Sequence, residues 1–467
     1  MEQNKIKQDK IINSKNKKSY EIDMCNGPIL KKMLIFAVPL MCSSILQLLF
    51  NAADIVVVGK FAGDNALAAV GSNTALINLL TNLFIGLSIG ANVLVSRYYG
   101  GKHEKDLRET VHTSMLLSPY SGILLTVVGV VGARQLLIWM QTPAEVLTLA
   151  VLYLRIFFLG MTASMLYNFG SAILRAVGDT KRPLYYLFAA GIVNVLLNLL
   201  FVIVFHMGVA GVGIATVVSE CISAFLVVRC LMKEKSAIQL VLKDLHIHGD
   251  KLKRIMQIGL PAGFQGIIFS FSNVVIQSSI NSFGAVIVAG NSAAANIEGF
   301  VYVAMNAFYQ ATISFTSQNM GAGKYKRINK ILLCGQACVI IVGIVLGNGA
   351  VLAGRQLLGI YSSSTEVIEA GLHRLSVVSR LYALCGIMDV MVGSLRGLGY
   401  SVTPMIISLI GACGLRMVWL ATLFQMEEFH TISMVYWSYP VSWVITLAAH
   451  IVCFMIVRAK LPDRKKI

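Results

Sequence analysis

Twelve apolar segments, centred near residues 45, 82, 120, 160, 194, 220, 270, 303, 341, 382, 413 and 445, decide what this chain can fold into. In hydrocarbon a backbone must satisfy its own polar groups, and stretches of about 20 residues do so as helices. Of the 467 residues, 56% are hydrophobic and 13% are charged, against about 25% charged in ordinary soluble chains. The pattern predicts an all-α polytopic membrane protein with twelve transmembrane helices.

A formal net charge of +17 suggests nucleic acid until the charges are placed. Lys60, Arg134 and Arg355 fall on one side of the predicted membrane, and Arg155, Arg374, Arg380 and Arg416 fall within segments. The remaining 32 of the 39 lysines and arginines lie at the other side, from Lys5 to Lys466. Such a bias is a topology signal and puts both termini in the cytoplasm. Residues 1–28 are polar and Lys-rich without an apolar centre, which predicts a solvated cytoplasmic tail and not a signal peptide. The nine cysteines are odd in number and mostly lie in apolar segments, so no disulfide framework is expected. Cys334 and Cys338 share a helix face, as packing residues or a metal pair, and His246 and His248 share a linker, as an exposed loop or a metal pair.

The two halves repeat. Pro39 and Pro261 stand 222 residues apart, as do Gly101-Lys102 and Gly323-Lys324. Glu145-Val146 and Glu366-Val367 recur at 221, and so do Leu174-Arg175-x-x-Gly178-x-x-x-x-Pro183 and Leu395-Arg396-x-x-Gly399-x-x-x-x-Pro404. The chain is therefore six helices twice, and an even number gives both halves the same orientation. The expected units are an N-lobe (29–232), a basic linker (233–254), a C-lobe (255–458) and a cytoplasmic C-terminal tail (459–467) around a central cleft.

The first segment carries the strongest functional signal. A carboxylate in a membrane-spanning stretch costs several kcal/mol unless it faces a protected interior. Ser44, Gln47, Asn51 and Asp54 recur at helical spacing, so Asp54 sits on a polar stripe. Pro39 removes one backbone hydrogen bond and offers a hinge. A paired carboxylate and a static kink are the alternatives.

Pro39, Asp54, Gly59, Leu67-Ala-Ala-Val-Gly71, the Gly100-Gly101 loop and Leu174-Arg-Ala-Val-Gly-Asp-Thr-Lys-Arg-Pro183 together resemble the multidrug and toxic compound extrusion (MATE) transporters, prokaryotic type. Gly208-Val-Ala-Gly-Val-Gly-Ile-Ala-Thr216, Pro261, Gly321-Ala-Gly323 and Leu395-Arg-Gly397 extend the likeness, which covers about residues 28 to 458. The resemblance implies an ion-responsive site at Asp54, Asn194, Asn198 and Thr216, able to take a proton or a sodium ion. Many members have a second Asp where this chain has Asn198, an amide that cannot titrate but can offer an oxygen. Glu298 and Asp389 are second-lobe candidates; Asp389 matches an acidic position of the sodium-coupled branch, whose helix 7 Glu is here Phe269. Pairing of Glu298 and Asp389 with Arg374, Arg380 or Arg416, and of Glu220 with Arg155, is the alternative. Met161, Met165, Tyr167, Phe169, Met305, Phe308 and Tyr309 are candidates for a cation-binding lining or for ordinary packing.

The expected function is secondary antiport at the inner (cytoplasmic) membrane, exporting organic cations or amphipathic drugs in exchange for H⁺ or Na⁺, by a monomer bathed in lipid, with no cofactor and no nucleic-acid partner. A flippase for lipid-linked sugars is the rival among transporters, since four intramembrane arginines could face a pyrophosphate. A membrane receptor or enzyme is the rival outside them, but the chain has no His-Glu-x-x-His, serine elbow or Gly-rich nucleotide loop.

Overall fold

A computed structural model describes residues 20–462. Most of the expected N-terminal tail and the last five residues of the C-terminal tail lie outside them. The first half comprises α1 (Ile29–Phe61), α2 (Asp64–Gly100), α3 (Glu104–Trp139), α4 (Ala144–Leu159), α5 (Met161–Ala176), α6 (Lys181–Leu199) and α7 (Gly208–Lys233). The second half follows as α8 (Gly249–Asn281), α9 (Ala285–Gly321), α10 (Tyr325–Leu352), α11 (Thr365–Val377), α12 (Ala383–Gly397), α13 (Val402–Ser408), α14 (Leu415–Ala421) and α15 (Ile432–Ala459). Among the described residues, ten spans are long and apolar enough to cross a bilayer. The remaining two of the expected twelve are broken: α4 meets α5 at 46°, and the helix from Thr365 to Leu381 meets α12 at 42°.

The repeat is written in the backbone as well as the sequence. Gly63 (φ 88°) and Gly284 (φ 92°) precede α2 and α9, and Gly178 (φ 95°) and Gly399 (φ 96°) follow α5 and α12. Each is left-handed, a conformation that glycine adopts without the steric penalty of a Cβ. Ser314 Oγ donates to Asn92 Oδ1 at 3.1 Å, and these residues are 222 apart. Equivalent positions of the two halves thus touch, as an approximate twofold axis between them requires.

Glycines set how closely the halves approach. A Cβ on Gly86 would stand 2.3 Å from Gly263 N, one on Gly90 2.3 Å from Ile255 O, and one on Gly321 1.8 Å from Arg97 O. Small residues let helices pack backbone to backbone where lipid gives no hydrophobic drive to associate. This seam joins the later part of α2 to the start of α8 and the end of α9, in the end of the bundle that carries both described chain ends. There Lys324 Nζ donates to Cys25 O at 3.1 Å and Arg458 Nε to Asn329 Oδ1 at 2.9 Å.

Residues 20–28 depart from the solvated tail that their polarity predicts. Met24 is fully buried, Asn319 Nδ2 donates to its carbonyl at 3.0 Å, and Arg327 Nη2 donates to Gly27 O at 3.1 Å. Tyr99, on α2, donates to Glu21 Oε2 at 2.9 Å. One apolar anchor and a set of backbone acceptors therefore fasten this segment across both halves. The linker is also less free than its charge suggests. His248 N donates to Thr113 Oγ1 at 3.1 Å, and Lys251 Nζ to Asp106 Oδ1 at 2.5 Å, which hold it on α3. Cys338 is buried in the apolar core and Cys334 packs against that core.

The seam makes a direct prediction. Gly90→Ala should destabilise the fold by about 1–3 kcal/mol through overpacking, read as a lower midpoint in thermal unfolding of detergent-solubilised protein. Gly71→Ala, where nothing lies within 4 Å of the added Cβ, should leave the midpoint unchanged.

Candidate functional site

Each half holds a polar cavity beyond the seam. In the first half, Asp54 projects from α1 seven residues before its end and meets α6 and α7. A cavity of about 220 Å³ opens beside it, lined among others by Gln47, Asn51, Asp54, Asn194, Thr216 and Glu220. Of the predicted stripe Ser44, Gln47, Asn51 and Asp54, the last three thus line one cavity, and Ser44 does not reach it.

Asp54 is buried and accepts a hydrogen bond from Asn198 Nδ2, which also donates to Asn194 Oδ1 at 3.3 Å. The Thr216 hydroxyl faces the same carboxylate while donating to Val212 O at 3.0 Å. Asn198 Oδ1 is buried without a hydrogen-bond partner among the described residues. The four residues singled out by sequence therefore converge, with Asn198 behind the cavity and the other three on its wall. Just past Asn198, Leu200–Val204 forms a π turn, a local widening of the helix frequent at functional sites.

Glu220, a secondary candidate in the sequence with Arg155 as its alternative partner, lies in the Asp54 cavity. Its carboxyl group faces Ser164 in the same cavity, and Oε2 has no hydrogen-bond partner among the described residues. The α4–α5 break makes room for it: a Cβ on Gly160 would stand 2.6 Å from that oxygen. Arg155 does not neutralise it, because Arg155 is exposed and its Nε donates to Val130 O at 3.2 Å. Pro39 lies within α1, which is continuous from Ile29 to Phe61.

The second-half cavity is larger, about 550 Å³. Glu298, on α9, is paired with Arg374, on α11, at 2.7 Å, and Arg374 Nη1 also donates to Asn291 Oδ1 at 2.6 Å. That settles the alternatives for Glu298 in favour of pairing. Arg380 is exposed and takes no part. Asp389 lines the cavity and forms no ion pair among the described residues; Phe269 lines it too, placing an aromatic ring where the sodium-coupled pattern has a carboxylate.

Of the seven Met and aromatic candidates, only Tyr167 reaches the Asp54 cavity. Met161, Met165, Phe169, Met305, Phe308 and Tyr309 are buried in apolar clusters, so packing explains them. Sequence reasoning missed Arg396, which the charge count placed at the cytoplasmic face. It is buried, donates to the Tyr309 hydroxyl, and reaches Gln265 Oε1 at 2.8 Å. Its place in the repeated Leu-Arg-x-x-Gly motif was the available signal.

Comparison with known proteins agrees with this architecture. The sequence model of the MatE family matches residues 39–200 and 261–422, one block in each half. The probable multidrug resistance protein YoeA of Bacillus subtilis (strain 168) is 26% identical over 424 residues, covering 89% of this chain and 91% of its own. A MOP superfamily transporter from Pyrococcus furiosus superposes with a TM-score of 0.86 at 22% identity, over 95% of this chain and 98% of that one. An outward-facing multidrug resistance MATE family transporter gives 0.85 at 20% identity, over 95% and 98%.

The buried ion pair carries its own test. Glu298→Gln strands the Arg374 charge and should destabilise by about 3–5 kcal/mol, whereas replacing both partners by apolar residues should cost much less. Thermal unfolding of the single and double variants reads the difference.

Proposed function

Since this chain belongs to the MatE family, a family of multi-pass membrane transporters and not of enzymes, we propose that it is a secondary antiporter exporting organic cations or amphipathic drugs in exchange for H⁺ or Na⁺, coupled at Asp54. One observation carries the reading: a buried carboxylate on α1 is held by an amide on α6 at the wall of a polar cavity. The likeness to the probable multidrug resistance protein YoeA favours the same substrate class.

The Asn198 amide suits either state of a coupling site. Its NH₂ group donates to a bare carboxylate. Turned by half a rotation, Oδ1 accepts from a protonated acid or faces a sodium ion, and that oxygen has no competing partner. Ion capture by Asp54 would therefore reorient α6 against α1. Pro39, lacking an N–H, is the position at which α1 yields most easily, and its bending would shrink the cavity and expel the substrate.

With both termini in the cytoplasm, as the basic charge suggests, the glycine seam seals the inner end and the cavities lie outward of it, the arrangement expected for substrate release. The protein acts as a monomer in the cytoplasmic membrane. The flippase reading has weaker support. Arg155 and Arg380 are exposed, and in the second-half cavity Arg374 is paired with Glu298 while Arg416 and Asp389 line the wall with opposite charges and no ion pair between them, so the lining carries no cationic excess. A pyrophosphate would require a cationic excess.

Reconstituted vesicles carrying wild type or Asp54→Asn, challenged with ethidium under a pH gradient or a sodium gradient alone, test the proposal. One gradient should drive efflux in wild type, and the variant should lose at least nine-tenths of it at equal expression. Full efflux by Asp54→Asn would overturn the assignment.

A further inference from the structure

The motif Leu-Arg-x-x-Gly occurs twice, and its two arginines stand in different company. Arg396, in the second half, donates to the Tyr309 hydroxyl, reaches Gln265 Oε1 at 2.8 Å and lies within electrostatic reach of Asp389. At the repeat offsets of 222 and 221 residues, these three partners correspond to Leu87, Ser43 and Asn168 in the first half. None of the three is charged, and Ser43 and Asn168 turn to their own helices, donating to Pro39 O and Ser164 O at 2.9 Å each. Arg175 is left with no side-chain hydrogen bond and no ion pair among the described residues. The ionisable group within its electrostatic reach is Tyr167, a phenol, neutral at about pH 7, that donates to Pro183 O at 3.2 Å. Arg175 is partly buried and lines a cavity of about 20 Å³ between the halves, with Ile89 and Asn92 of α2 and Gln310, Ile313 and Ser314 of α9. The Ser314 hydroxyl is used on Asn92 Oδ1. Asn92 Nδ2 donates one hydrogen to Ala172 O at 2.8 Å and Gln310 Nε2 one to Asn306 Oδ1 at 2.9 Å, which leaves each amide a second N–H.

We propose that this cavity binds a chloride ion, held by the Arg175 guanidinium and the remaining N–H groups of Asn92 and Gln310. Charge decides the sign of the ligand and volume decides its size. A guanidinium without a counter-charge is costly inside a membrane protein, and a water molecule relieves its hydrogen bonding but not its charge. One water-sized occupant needs about 10–15 Å³ of such space, so a cavity of about 20 Å³ admits a monoatomic anion and excludes phosphates and carboxylate ligands. The donors come from both halves, Arg175 and Asn92 from the first and Gln310 from the second. Asn92 stands two residues beyond Gly90, where a Cβ would meet Ile255 O, so the site adjoins the glycine seam. An anion there ties α2 and α5 to α9 and favours the conformation in which the seam is closed. Chloride binding at Arg175 goes beyond exchange at Asp54 and does not depend on it.

Thermal unfolding of the full chain in chloride-free sodium gluconate, titrated with sodium chloride at constant ionic strength, tests the site. The wild-type midpoint should rise saturably as chloride replaces gluconate, an anion too large for the cavity. Arg175→Gln removes the unmatched charge, so it should unfold above wild type in gluconate and show no saturable rise with chloride. Arg175→Lys, which keeps the charge, should keep the rise. Gln310→Leu, on the opposite half, should need about tenfold more chloride for half the effect, the scale of one hydrogen bond to a charged group. A wild-type midpoint indifferent to chloride, or an equal rise in wild type and Arg175→Gln, overturns the proposal. Should Arg175→Gln not fold, an unchanged chloride requirement in Gln310→Leu overturns it instead. A chloride response without gradient-driven ethidium efflux would leave this site standing and remove the antiporter. Efflux without a chloride response would do the reverse.

Discussion

Keeping ionisable groups inside a membrane protein constrains everything else in this structure. Each must be paired, hydrogen-bonded or turned to a water-accessible cavity, because lipid offers none of these. Asp54 meets the requirement through Asn198 and the cavity beside it. The helices that bring those groups together, α1, α6 and α7, are consequently fixed relative to one another by a polar contact. A change of charge at the carboxylate acts directly on that contact.

The two halves share a backbone plan and differ in chemistry. Left-handed glycines, broken spans and helical prolines recur at matching places, and Asn92 meets its counterpart Ser314 near the axis. Yet the first half holds Asp54 with an amide and a hydroxyl, whereas the second locks Glu298 to an arginine. A tightly paired carboxylate is poorly placed to exchange ions, because releasing it leaves a buried cation. That asymmetry favours the first half as the ion-responsive one. The glycine seam holds the halves in close contact at one end, so the same fold combines a closure there with cavities on its far side.

The sequence was legible where period and spacing carry physical meaning. Twelve apolar segments, the 222-residue repeat and the stripe through Gln47, Asn51 and Asp54 all correspond to observed features. Asn194, Asn198 and Thr216 were placed by resemblance, and their four-residue or single positions on apolar helices agree with where they sit. What stayed hidden were side-chain directions on segments that are apolar all round. Nothing in the pattern distinguishes outward-facing Arg155 and Arg380 from buried Arg374, Arg396 and Arg416. The docking of residues 20–28 was hidden too, because one methionine in a polar run gives no periodicity. Breaks at Gly160 and Tyr382 depend on tertiary neighbours, Glu220 among them, and have no local signature.

The central claim is that substrate and coupling ion compete through Asp54, and thermodynamic linkage makes that measurable at equilibrium. Proton or sodium release should be followed when ethidium is added to purified protein in weakly buffered detergent solution, using a pH dye and a sodium electrode, with wild type beside Asp54→Asn. The account predicts that binding of ethidium displaces one of these ions from wild type and none from the variant. Ethidium binding that releases neither ion from wild type, or the same ion from both proteins, would contradict it.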